Sequence, residues 1–216
     1  MKQALVGLLA ETSIHVGAGQ QSGFVDLPVI REQTTMVPYI PASSLKGALR
    51  EKLNQDLQDK NEEEEKINAQ LDLYFGNKNQ AGSIGITDGR LLLLPFRSLN
   101  QPYYLVTCPF LLQRFSRDLQ FAGGTKLKWV EQLKEMARPI MAKKEPFIYL
   151  EEFYYEPQAN PQLIQQLIQA ISPLIAHEEI QSQLTQQLVI LPDREFRLFR
   201  RIFSAHPNPE LSRPKE

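Results

Sequence analysis

Asp26 is the one acid between Thr12 and Arg31, in a stretch that also carries Gly17, Gly19, Gly23 and His15. A carboxylate isolated on a glycine-rich loop can ligate a hydrated divalent cation or move a proton during phosphodiester cleavage. His15 is close enough in sequence to be a second participant. Further along, SSLKGALR places Ser43, Ser44, Lys46, Gly47 and Arg50 in the first turns of an expected helix. The start of a helix presents unpaired backbone N–H groups and the positive end of the dipole, which together receive phosphate. Lys46 and Arg50 add charge on one face, and Gly47 leaves room for another backbone. RNA suits such a sparse set of groups better than DNA. Its 2′-OH is a built-in nucleophile, so a site has only to hold the strand in line and ease one proton transfer. Each feature also has an ordinary reading: Asp26 as a turn residue, His15 as a structural hydrogen-bonding group, and a capped helix that packs Gly47 on a neighbour.

The elements that would position these residues can be read from periodicity. QALVGLLAETSIHV is apolar enough for a buried first strand, broken by the glycines that follow. A long loop reaches Pro41. Ser43 or Ser44 is the expected N-cap, and Leu45, Ala48, Leu49, Leu53 and Leu57 then recur at helical spacing. After the run NEEEEK, expected to be a solvated surface, LDLYFGNKNQAGS reads as a turn. A strand follows from about Ser83 to Phe96, with Asp88-Gly89 as a bulge or bend. YYLVT is a further strand, and Pro109 suits the first position of a helix. Residues 125–138 read as helical and PFIYLEEFYYE as a strand pair or an extended arm. Residues 161–187 read as a helical region interrupted at Pro173, QLVILP as a last strand, and REFRLFRRIF as a short helix. Strands and helices alternate irregularly, which favours an α+β domain. No internal repeat is visible.

Composition narrows the class. With 216 residues, 42% of them hydrophobic, the chain can bury one full core or a core with a smaller lobe. No apolar run has membrane-spanning length, and MKQALVGLLAETS lacks the flanks of a signal peptide, so a cytoplasmic location is expected. One Cys and three His argue against an internal disulfide and a zinc site. The net charge of -1 hides an uneven distribution. Arg114, Arg117, Lys126, Lys128, Lys134, Arg138, Lys143 and Lys144 face only Asp118, Glu131 and Glu135 in the same segment. Phe115, Phe121 and Trp129, interleaved with these cations, are either base-stacking groups or core. Neither G-x-G-x-x-G nor a P-loop pattern occurs, which weakens a nucleotide-dependent metabolic enzyme.

Taken in order, IHVGAGQQSGFVDLPVIRE, VPYIPASSLKGALRE, LYFG, AGSIGITDGRLLLLPFRS and YYLVTCPFLLQRF resemble the repeated backbone subunit of type III-B CRISPR effector complexes, the Cmr branch of the RAMP superfamily. The resemblance covers residues 3 to about 122, thins through 123–187 and returns at LVILPDREFRLF. It implies an α+β, modified ferredoxin-like (RRM-like) domain over 1–203, with a loop at about 14–41, an arm and helical lobe at 123–187, and a polar, disordered tail at 204–216. It further implies an antiviral ribonucleoprotein subunit that binds CRISPR guide RNA without sequence preference and stacks into a filament with copies of itself and other type III effector subunits. An arm of each copy kinks the guide–target duplex, and target RNA is cut with a divalent cation, Mg²⁺ or Mn²⁺. The cleaving and metal-binding acid then falls on Asp26, the loop histidine on His15, and the RNA contacts on Gly17, Gly19, Ser43, Ser44, Lys46, Gly47 and Arg50. Nothing after Phe203 resembles the further strand, glycine loop and acidic and aromatic segment of longer family members. A non-cleaving, architectural RNA-binding subunit of a type III-A or III-D complex is the alternative.

Overall fold

The computed structural model describes residues 2–17 and 29–202. Backbone contacts divide the chain into two compact units, His15–Arg90 and the combination of Met1–Ile14 with Leu91–Glu216.

In the unit His15–Arg90, bridges Gly17↔Val29 and Arg31↔Pro38 lead to strand β1 (Tyr39–Ile40) and helix α1 (Ala42–Asp59). Helix α1 does not begin at a serine cap. Pro41 holds the cap position with extended backbone and has no side-chain acceptor to offer. The acceptor comes from far along the chain, as the Ala42 N–H donates to Asp88 Oδ1 at 2.8 Å. Asp88 precedes strand β2 (Gly89–Arg90), which pairs antiparallel with β1, Tyr39 opposite Arg90. The expected bend at Asp88-Gly89 is therefore a cap and a strand start. Gly89 is held close: a Cβ there would stand 3.2 Å from Ile40 Cβ and Leu45 Cδ1.

Helix α1 ends where Asn61 takes a positive φ of 55°, a conformation Asn tolerates. The acidic run, expected as open surface, starts a second helix, α2 (Glu64–Phe75), with Glu64 and Glu65 in the first turn where the dipole favours them. Ile67, Leu71 and Phe75, spaced by four, bring one apolar stripe onto Leu53 and Leu57 of α1. LDLYF is thus the end of a helix, and only Gly76 (φ 81°) turns the chain. The i, i+4 spacing of Ile67, Leu71 and Phe75 carries the helix up to the glycine, so the expected turn begins only at Gly76.

In the other unit, strands β3 (Leu94–Arg97) and β4 (Tyr103–Thr107) form a hairpin, Leu94 opposite Val106. The single strand expected over Ser83–Phe96 is thus two strands, β2 and β3, in different units. Helix α3 (Pro109–Phe121) starts at a proline and, like α1, borrows its cap, since the Phe110 N–H donates to Asp193 Oδ1 at 2.9 Å. Residues 125–138, expected to be helical, form only a 3₁₀ stretch, Lys128–Leu133. Strand β5 (Ile140–Met141) and a hairpin of β6 (Ile148–Leu150) and β7 (Phe153–Tyr155) follow, as PFIYLEEFYYE suggested. Next come β8 (Gln158–Ala159), α4 (Pro161–Ile171), α5 (Glu178–Gln187), β9 (Leu188–Ile190) and α6 (Asp193–Ile202). The five-stranded sheet has the order β3-β4-β9-β5-β8, with β9 parallel to β4 and antiparallel to β5.

The main core lies between this sheet and its helices. Leu163, Ile164, Leu167, Ile168 and Ile171 of α4 meet Leu112 and Phe115 of α3, Leu184 of α5, and Leu188 and Ile190 of β9. Asn160 caps α4, its side chain accepting from the Leu163 N–H at 3.0 Å. Phe199 of α6 stacks at a tilt on Phe96 (4.4 Å) and edge-on to Phe153 (5.4 Å), joining α6 to β3 and to the hairpin. Phe115 is core, Trp129 packs half-buried against it, and Phe121 is exposed.

The first strand expected from QALVGLLAETSIHV is not formed. Residues 2–14 carry no strand pairing, and Val6, Leu8, Leu9 and Ile14 are exposed. Apolar composition favours a strand, but backbone N–H and C=O groups must find a neighbouring strand to make one. Leu5 does reach the main core, and Gly7 lies so close to Leu174 that a Cβ would stand 2.4 Å from its carbonyl oxygen.

The long-range cap of α1 makes a direct prediction. Asp88→Ala should lower the stability of the chain to urea by about 1 kcal/mol, and Asp88→Asn, which keeps the acceptor oxygen, by less. Equal urea midpoints for Asp88→Ala and the wild type would show that the cap contributes nothing.

Candidate functional site

Of the residues singled out in SSLKGALR, Ser43, Lys46, Gly47 and Arg50 fall on one surface of α1, facing the turn that follows α2. Ser43 and Ser44 are exposed in the first helical turn, Lys46 is half-buried and Gly47 is exposed. Across from them stand Gly76, Asn77 and Lys78, and between the two sides lies a depression of about 570 Å³ lined also by Arg50 and Phe75.

Gly47 is informative because no neighbour among the described residues requires it. A Cβ on Gly47 would meet no atom within 4 Å, so the packing role that the sequence left open is excluded among the described residues. A glycine inside a helix costs roughly 0.5–1 kcal/mol relative to alanine. The residue suits a place where other atoms come close to the helix backbone.

Arg50 is occupied. Its Nη1 donates to the carbonyl oxygens of Gly76 (2.9 Å) and Leu71 (3.3 Å), and its Nη2 to Asp72 Oδ1 (3.2 Å). The guanidinium therefore holds the last turn of α2, where carbonyls lack helical partners. Asp72 in turn accepts from Asn77 Nδ2 at 2.8 Å. Asn77 Oδ1 takes the N–H groups of Asn79 and Gln80, both at 2.9 Å, forming an Asx turn whose tip is Lys78. The hydrogen bond from Asn77, and then that from Arg50, hold the Asp72 carboxyl below the usual carboxylate range. A depressed folded-state value means that this tie stabilises the fold above the ordinary Asp range, roughly pH 4, and is lost as pH falls through the lower folded value. Arg50 and Asp72 neutralise each other, which leaves Lys46 and Lys78 as the charges that give the depression its sign.

The helix-start argument changes accordingly. The first N–H of α1 already has a carboxylate partner in Asp88. Attraction for an anion at this face rests on the lysines, the hydroxyls and the bare backbone at Gly47 more than on the dipole. Asn77 and Lys78, absent from the sequence reading, carried a signal in Gly-Asn-Lys-Asn, a turn with a cation at its tip.

Of the loop residues, His15 is exposed and Gly17 pairs with Val29, with the Ile30 N–H donating to Val16 O at 2.8 Å. The two ends of the intervening segment are thereby held together. Gly19 and Asp26, on that segment, lie outside the described residues. No group of three or more His, Cys, Asp or Glu side chains able to hold a metal ion occurs among the described residues. Cys108 is no nucleophile, since it is buried and its thiol is pushed far up by burial. In the basic segment, Arg114 is buried with its guanidinium over the Phe110 ring at 5.5 Å, and Lys126 and Arg138 pair with Glu131 and Glu156. Lys128, Lys134, Lys143 and Lys144 are exposed. No helix of the described residues is long and apolar enough to cross a membrane.

These elements, a helix carrying SSLKGALR with a glycine turn and a short strand pair in one unit and a mixed sheet with helices in the other, are those of a known class. The RAMP superfamily pattern matches residues 8–199, and the chain belongs to that family. Within it, the chain is 35% identical over 207 residues to the CRISPR system Cmr endoribonuclease Cmr4 of Pyrococcus furiosus, a match that covers 91% of this chain and 67% of the relative. A shorter match, 42% identical over 53 residues, joins it to the Cms endoribonuclease Csm3 of Methanothermobacter thermautotrophicus, 23% of this chain and 22% of that one. Among solved structures, oligomeric Cmr4 from Pyrococcus furiosus superposes with a TM-score of 0.65 at 31% identity, over 82% of this chain and 66% of the other. A subunit of the type III-B Cmr-beta complex bound to cognate target RNA has the same fold, with a TM-score of 0.59 at 21% identity over 92% and 67%. The chain spans about two thirds of the length of these Cmr relatives.

One expected outcome follows from Gly47. Gly47→Ala should raise stability to urea by roughly 0.5–1 kcal/mol, because the added methyl meets open space and the helix gains propensity. The same variant should weaken binding of single-stranded RNA. A gain in stability with unchanged RNA affinity would remove the argument that a ligand needs this bare backbone.

Proposed function

We propose that this chain is the guide-RNA-binding backbone subunit of a type III-B CRISPR effector complex and that it cleaves target RNA paired to the guide. The observation that carries this reading is the 35% identity, spread over 91% of the chain, to an endoribonuclease of the Cmr system. The depression beside α1 adds physical support, since two lysines, the Ser43 hydroxyl and an uncovered glycine backbone suit a sugar-phosphate chain and contain nothing shaped to read a base.

In this reading the guide lies along α1, its phosphates against Ser43, Ser44, Lys46 and Gly47. Asp26, in the segment between Gly17 and Val29, acts on the target strand, and Gly19 serves RNA binding beside it. Asp26 takes or redirects the proton of the 2′-OH as that oxygen attacks the adjacent phosphorus, and the 5′-oxygen of the next nucleotide leaves. His15 orients the phosphodiester. A divalent cation, Mg²⁺ or Mn²⁺, would be held by Asp26 and, for its remaining positions, by oxygens of the RNA. When bound it supplies positive charge to the phosphodiester. Copies of the chain associate head to tail along one guide, since a subunit that repeats along a strand makes heterologous contacts that need not close, and other effector subunits complete the particle.

The test is Asp26→Asn in the reconstituted complex. Asn keeps the size of Asp and loses its charge and basicity, so guide and target binding should stay near wild type while cleavage falls on the order of a hundredfold to ten-thousandfold. Products should end in 2′,3′-cyclic phosphate or 3′-phosphate, and a single 2′-deoxy nucleotide should block only the cut at its own position. Wild-type cleavage by Asp26→Asn would make that acid a turn residue. A wild-type complex that binds target and leaves it whole would make the subunit architectural.

A further inference from the structure

We propose that Lys78, on the turn after α2, is a second contact for RNA phosphate, and that Arg50 is a positioning residue for that turn. This inference rests on the reading of the α1 face as an RNA site and adds to it a residue the family resemblance did not supply. It also gives Arg50 a different task.

Three features of the geometry point this way. Residues 77–80 of the turn are exposed, yet the turn is held more tightly than an idle surface turn requires. Gly76 N–H returns to Asp72 O, Asn77 N–H to Gln80 O, and the Asn77 side chain is fixed from both ends by Asp72 and by the N–H groups of Asn79 and Gln80. Lys78, at the tip, has no ion-pair or hydrogen-bonding partner among the described residues and stands on the same depression as Lys46 and Gly47. Freedom from internal partners is what a cation kept for a ligand shows, and a fixed backbone lowers the entropy lost on binding.

Asp72 is the second feature. An acid in the last turn of a helix opposes the dipole, and an acid beside a phosphate site repels the ligand. On both counts position 72 should avoid Asp unless the carboxylate does a job there. Its two oxygens divide between Arg50 and Asn77, one to each. The carboxylate therefore links α1 to the turn, and Arg50 cancels its charge.

Third, the Arg50 guanidinium already donates to two carbonyls and to that carboxylate. A phosphate drawn to Arg50 would have to compete with a planar, partly shielded arrangement, whereas Lys46 and Lys78 offer ammonium groups that donate to no group among the described residues. The path of the strand is then fixed by two point charges on either side of Gly47, which suits binding independent of sequence.

The experiment is a salt titration of the full chain binding a labelled single-stranded RNA of mixed sequence. Lys46→Gln and Lys78→Gln should each weaken binding and flatten the plot of log K against log salt by about 0.7, the value for one phosphate contact on a single strand. Asp72→Ala removes a negative charge beside the RNA, so simple electrostatics requires tighter binding, whereas loss of the turn requires weaker binding by about the same factor as Lys78→Gln. Asp72→Ala with Lys78→Gln should bind no more weakly than Lys78→Gln alone, because both changes remove the same contact. Wild-type affinity and slope for Lys78→Gln, with Lys46→Gln impaired, would overturn this proposal and leave the RNA site standing. Wild-type affinity for both lysine variants would remove the RNA site at this face. Tighter binding by Asp72→Ala would refute the positioning role of Arg50.

Discussion

The guanidinium of Arg50 is the tie on which the unit His15–Arg90 depends. That unit has a small buried core, Leu57, Ile67 and Leu71 with Leu53 and Phe75 against it, enough to bring two helices together but sparse in contacts that fix their rotation. Apolar contact is non-directional, whereas a planar fork with fixed donor directions is not. By donating to Leu71 O, Gly76 O and Asp72 at once, Arg50 sets where α2 stops and where the following turn begins. Asp88 does the same for the start of α1. Both ties lie near the depression that carries Lys46 and Lys78, so the polar groups that order the fold also shape the proposed site.

The larger unit is organised differently. Its sheet and helices enclose a continuous apolar core, and an aromatic cluster of Phe96, Phe153, Phe196 and Phe199 secures α6. Burial pushes Tyr155, beside Glu195 and near Phe199, up to about 12, so the phenol stays neutral and acts there as a packing group with a polar end. The β6–β7 hairpin is joined to β3 by Glu151, buried, whose carboxylate takes the Arg97 N–H and Nε at 2.8 and 2.9 Å. Here the hydrophobic pattern along the chain maps onto structure for β4, α3, α4 and β9, though not for residues 2–14 or 125–138.

That difference explains what the sequence revealed. The helix from 161 and its break at Pro173, the strands YYLVT and QLVILP, the hairpin in PFIYLEEFYYE and the helix starting at Pro109 all follow from local periodicity and turn chemistry. Helix α2 was missed although Ile67, Leu71 and Phe75 keep helical spacing, because the glutamates before it read as surface. The caps Asp88 and Asp193 could not be seen, since each acts across many residues, and local propensity carries no information about a partner brought close only by folding. The first strand failed for a related reason: its composition is suitable but its hydrogen-bonding partner is a matter of tertiary structure. At the site, Ser43, Ser44, Lys46 and Gly47 were legible as types at helical spacing. Arg50's occupation and the presence of Lys78 were not, because both depend on where α2 ends. Asp26 and Gly19 lie outside the described residues, and the roles proposed for them rest on the resemblance and on the pairing of Gly17 with Val29 on either side.

The central claim is that the α1 surface, with Lys46 on one side and Lys78 on the other, takes the sugar-phosphate chain of RNA. Chemical acetylation of lysines read by mass spectrometry, on the full chain with and without a saturating single-stranded RNA, tests it most directly. The account predicts that Lys46 and Lys78 lose reactivity together when RNA is present, while Lys52 and Lys66 on the outer surfaces of α1 and α2 react as before. Unchanged reactivity of Lys46 and Lys78 in the presence of bound RNA would contradict it.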